Sequence, residues 1–60
     1  MLEYKMDKGG TVWVNPEYVA AIQEKGPDKA MIIMGVQGQV YVVKERVADV
    51  VDRVEGWLQE

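Results

Sequence analysis

The last fourteen residues constrain this chain more than any other stretch. From Val47 onward, apolar residues fall at Val47, Val50, Val51, Val54, Trp57 and Leu58. At about 100° per residue they cover an arc of roughly 120°, the width of a helix stripe that faces a core. Asp49, Asp52, Arg53, Glu55, Gln59 and Glu60 take the other side. Burying six such side chains is worth on the order of 9–18 kcal/mol before ordering costs. A stripe of that size needs a sheet to lie on, and the preceding residues must supply it.

They do so in short alternating runs. Leu2, Tyr4 and Met6 alternate with Glu3 and Lys5, which predicts a half-buried strand. Asp7-Lys8-Gly9-Gly10 is a turn cluster, and Thr11 to Val14 forms a second strand with Val12 and Val14 on one face and Thr11 and Trp13 on the other. Asn15-Pro16-Glu17 ends it, because proline has no N–H for a ladder. Tyr18 to Lys25 permits either helix or strand; a brief turn near Tyr18 and a third strand from about Val19 to Glu24 are expected. Gly26-Pro27-Asp28-Lys29 turns the chain into Ala30-Met31-Ile32-Ile33-Met34, apolar on both faces. Gly35-Val36-Gln37-Gly38 returns it to a fifth strand from Gln39 to Lys44. The expected fold is α+β: an antiparallel meander of about five short strands, curled or half-barrel, under one C-terminal helix. Residues 1–60 form a single small domain. Arg46 stands where the helix N-cap falls and cannot accept backbone N–H groups; Asp49 in the first turn offsets this in part.

Sixty residues give a marginal core. Cysteine and histidine are absent, so neither disulfides nor the common zinc sites can reinforce it, which leaves tight packing or self-association. A hydrophobic share of 48% argues against a disordered chain. No apolar run reaches the roughly 20 residues of a membrane span and no signal-peptide pattern opens the chain, so a cytoplasmic protein without membrane insertion is expected.

Reactive chemistry is not in evidence either. A nucleophile needs a base and the base an orienting group, and here there is no Cys, His or Ser and a single Thr, Thr11. Asp49 and Asp52, or Asp52 and Glu55, could approach a cation, but pairs on an exposed helix face are ordinarily solvated. Neither Gly9-Gly10 nor Gly35–Gly38 has a phosphate-binding pattern. Gly56, near the helix end, marks either fraying or a close neighbour. The expectation is a chain that is not an enzyme and carries no cofactor or metal. Charge points away from nucleic acid: residues 45–60 sum to −3 and the first 44 to zero.

What remains is apolar excess. Met31 to Met34 puts two large side chains on each sheet face, and one helix covers only one face. Two readings stay open: a sheet that curls to bury both faces, or a surface for another chain. The candidate interaction surface is Tyr4, Trp13, Met31, Ile32, Ile33, Met34 and Tyr41, serving a homo-oligomer or another protein partner.

The residues so placed resemble the FlbD-like small flagellar and swarming motility proteins, nearly end to end. The likeness rests on a Met-Leu start, a turn at Gly9 and Val-Asn-Pro-Glu-Tyr-Val at 14–19. It continues through Ile22, Pro27-Asp28 and Tyr-Val-Val-Lys-Glu at 41–45 into Val47-Ala48-Asp49-Val50-Val51. Arg46 departs from the family's serine, and the Gly35–Gly38 loop is longer than its compact turn. The resemblance implies a motility accessory acting through protein contacts, with no catalytic residues to carry over. An oligomeric inhibitor or ligand-sequestering module of the phage type is the alternative. A weaker resemblance is to LytTR-type DNA-binding domains, through the glycine turn followed by Tyr41-Val42-Val43-Lys44; against it, the loops offer only Lys8, Lys25 and Lys29, each near an acid.

Overall fold

The computed structural model describes residues 1–59; Glu60, placed above on the outer helix face, lies outside them. Five antiparallel strands precede one helix: β1 (Leu2–Lys5), β2 (Thr11–Val14), β3 (Val19–Gly26), β4 (Lys29–Met34), β5 (Val40–Val43) and α1 (Val47–Leu58). The class is α+β, as expected. The strands divide into a hairpin, β1–β2, and a three-stranded sheet in the order β3–β4–β5.

The break between the sheets falls at Asn15-Pro16. Asn15 keeps extended backbone and its Oδ1 accepts the Glu17 N–H at 3.1 Å, starting a 3-10 turn over Pro16–Tyr18. Proline fits that first turn because its missing N–H would have been an orphan. The turn carries the chain to β3, which pairs with β4 and not with β2. The sheets are instead joined at the opposite strand: Met6 bridges Val43, Asp7 N–H donates to Val42 O at 2.9 Å, and Lys44 N–H donates to Lys5 O at 2.8 Å. The result is a curled surface without barrel closure.

Register assigns the faces. Ile22, Ile32 and Tyr41 lie opposite one another across β3–β4–β5, as do Ala21, Ile33 and Val40 on the reverse side. The inner face meets α1 and the inner side of the hairpin in one core of Tyr4, Val14, Ala30, Ile32, Met34, Val43, Val50 and Val54. Leu2, Val12, Val19, Ile22, Tyr41 and Val47 pack at its margin.

The helix buries less of its stripe than its pattern predicts. Val50 and Val54 are in the core and Val47 and Val51 are half-buried, but Trp57 and Leu58 remain 39% and 55% exposed. The helix rests on β3, β4 and the 3-10 turn, and its last turn runs past that support. Arg46 makes no side-chain cap; its Nε lies 3.2 Å from Asp49 Oδ2, so the first-turn acid neutralises the residue that fails to cap. Among the described residues nothing stands within 4 Å of where a Gly56 Cβ would be, so none of them requires a glycine there.

Candidate functional site

The seven residues proposed from sequence as one surface do not share one. Tyr4 and Ile32 are essentially fully buried and Met34 nearly so, because all three point to the face that α1 covers. They are core, and they leave the candidate surface. Tyr41 is opposite Ile32 on that same inner face, half-buried at its margin. Trp13 is 59% exposed, on the outer side of the hairpin opposite Glu3. Only Met31 and Ile33 hold the position expected of them.

Around these two the structure assembles a patch that sequence reasoning missed in part. Val42 lies opposite Met31, and Val40 opposite Ile33, on the face of β5 turned away from the helix. Val40 is 48% exposed; Met31, Ile33 and Val42 are half-buried. None of the four belongs to the hydrophobic core of the described residues or to its margin. Ala21 and Gln23 continue the surface onto β3. The signal was available: Val40 and Val42 alternate with Tyr41 and Val43, but without the β4–β5 register their side could not be assigned.

Among the described residues, one ionisable group on the inner face, Tyr4, is shifted from its ordinary value. The Arg53 guanidinium lies 4.6 Å from the centroid of the Tyr4 ring, and its Nη1 is 3.3 Å from Glu45 Oε1. Tyr4 Oη is buried with no hydrogen-bond partner among the described residues. Burial pushes the phenol above its ordinary value; Arg53 draws it back in part and Glu45 adds to the rise. The trio ties hairpin, loop and helix together. Lys29 and Asp7, 3.0 Å apart, form a second tie between the sheets.

No three acidic side chains gather in a metal-holding arrangement among the described residues. No described helix is long and apolar enough to cross a membrane. What the molecule does present is an open apolar sheet face, coupled to a hairpin whose Asn-Pro turn sets its position.

The family model for FlbD, flagellar and swarming motility proteins, matches residues 1–60. The chain belongs to the FlbD family. No curated protein and no solved structure gives a significant match. In this FlbD chain the residues behind the resemblance are chiefly structural. Asn15-Pro16-Glu17 builds the turn between the sheets, and Val43 and Val50 are core. Val42, from the same run, is on the open face.

Proposed function

We propose that this FlbD-family chain is a non-catalytic accessory of flagellar or swarming motility that works by protein contact through the outer face of β3–β4–β5, a second copy of itself among the chains it meets there. One observation carries the reading: Met31, Ile33, Val40 and Val42 form an apolar group outside the core of the described residues. Contiguous apolar surface of this kind is costly to leave in water and is the usual mark of an interaction site. The family match supports motility over a phage-type inhibitor. The charge pattern weighs against LytTR-like nucleic-acid binding: the net charge is −3, and Lys29, at the start of β4, is held by Asp7.

Photocrosslinking in motile cells tests it. A photoreactive residue replacing Ile33 should give an adduct with a flagellar component or with a second copy of the chain. The same group replacing Asp52, exposed on the helix, should give none. Equal labelling from both positions, or none from Ile33, would remove the outer face from the account.

A further inference from the structure

The junction of the two sheets leaves part of β5 unpaired. The chain leaving β1 follows β5 only as far as the Asp7 N–H, then turns away: Met6 N–H donates to Gly10 O at 3.0 Å and Gly9 N–H to Met6 O at 3.1 Å. Gly9 and Gly10, with φ of 101° and 81°, make that sharp departure possible. Val42 C=O points toward β1, since it accepts from Asp7. In an antiparallel strand every second residue presents both main-chain groups to the same side. The Val42 N–H and both main-chain groups of Val40 therefore face outward, beyond the point where β1 has left. No described residue pairs with them.

Beside this bare edge lies a groove of ≈ 210 Å³ lined by Met6, Lys8, Val40, Tyr41 and Val42. Four of the five are apolar or aromatic, and the fifth is a cation. Lys8 makes no ion pair among the described residues, whereas neighbouring Asp7 is held by Lys29. The groove thus combines a row of unsatisfied strand groups, apolar walls and one unneutralised charge.

We propose that the free edge of β5 from Val40 to Val42 is a docking site for an extended, acid-bearing peptide segment of a partner protein, added to the sheet as a strand. Main-chain hydrogen bonds to Val40 and Val42 supply sequence-tolerant affinity, alternate side chains fill the apolar groove, and Lys8 selects a carboxylate. A second copy fits less well. Two-fold pairing through this edge brings two Lys8 ammonium groups to one seam, and the groove lining contains no acid to meet them. The proposal rests on the reading that the chain works through protein contacts, and names a site and a partner chemistry distinct from the outer face.

The test uses the ¹⁵N-labelled full chain and a capped synthetic peptide alternating valine and threonine around one glutamate. The Val40 and Val42 amides should shift and gain protection from hydrogen exchange, with Lys8 following. Lys8→Glu, or lysine for the peptide's glutamate, should weaken binding about three- to tenfold while the rest of the spectrum stays in place. N-methylation of the peptide's pairing amides should abolish it. Silent Val40 and Val42 amides, shifts confined to Met31 and Ile33, or indifference to Lys8→Glu would overturn the proposal. So would protection of the two amides without peptide together with a dimer mass, which would give the edge to a second copy. These failures leave the outer face untouched, and its own failure is read separately, by crosslinking from Ile33.

Discussion

Arg53 on the helix stacks over the ring of Tyr4 on the first strand, 4.6 Å from its centroid. The contact pins the hairpin beneath α1, and it does so with a ring whose hydroxyl is buried and has no partner among the described residues. Tyr4→Phe keeps the ring and removes the unsatisfied oxygen, so stability should hold or rise by up to about 1 kcal/mol. The pH dependence gives the sign. Because burial raises the folded phenol above its ordinary value of 10.0, the unfolded chain releases its proton first. The stabilisation tied to Tyr4 is therefore complete below that value and is lost as pH climbs through the folded one. Alkaline melts should show this loss in the parent and less of it in Tyr4→Phe.

Helix substitutions should follow burial rather than pattern. Val54→Asp places an unpaired carboxylate in the core and should cost on the order of 3–5 kcal/mol, enough to unfold so small a domain. Val51→Asp, at a half-buried position, should cost less. Asp52→Asn should stay within about 0.5 kcal/mol of the parent. Thermal melts that ranked Val51→Asp above Val54→Asp would contradict the assigned inner face.

Two positions in the same helix should gain from replacement. Gly56→Ala meets no described neighbour at a helical site and should add about 0.5–1 kcal/mol. Arg46→Ser should add roughly 0.5–1 kcal/mol by supplying the missing N-cap, less whatever the exposed Arg46–Asp49 pair contributes. Each should appear as a higher melting temperature.

Self-association through the outer face should show in light scattering. A hundredfold dilution series should begin at or above twice the chain mass, with a melting temperature that falls on dilution. A monomer mass with a concentration-independent melt would restrict the face to other proteins.

Much of this fold was legible because its signals are local. Strand alternation, Pro16 and Pro27, the paired glycines and the helix stripe each act over a few residues. The third strand was ambiguous for a physical reason. Val19 and Ile22 are spaced three apart, as on a helix, yet both lie on the inner face. The register shift between Val19 and Ala21 accommodates Ala20 as an extra residue and changes the strand's parity there. Periodicity cannot show an irregularity that depends on the partner strand. The candidate surface failed in the same way: Met31 and Ile33 could be separated from Ile32 and Met34 by alternation. Which set the helix covers depends on packing between distant segments. Trp57 and Leu58 continued the stripe in sequence, but how far the support beneath them extends is a tertiary fact.

The most direct measurement is motility in cells lacking the parent gene and supplied with Ile33→Lys. The lysine stands on the outer face, outside the core, so the purified variant should melt within about 1 kcal/mol of the parent. With the fold retained, the expected result is loss of flagellar or swarming motility, while Asp52→Asn restores it fully. Full motility from a folded Ile33→Lys chain would contradict the claim that this protein acts through the outer face of its sheet.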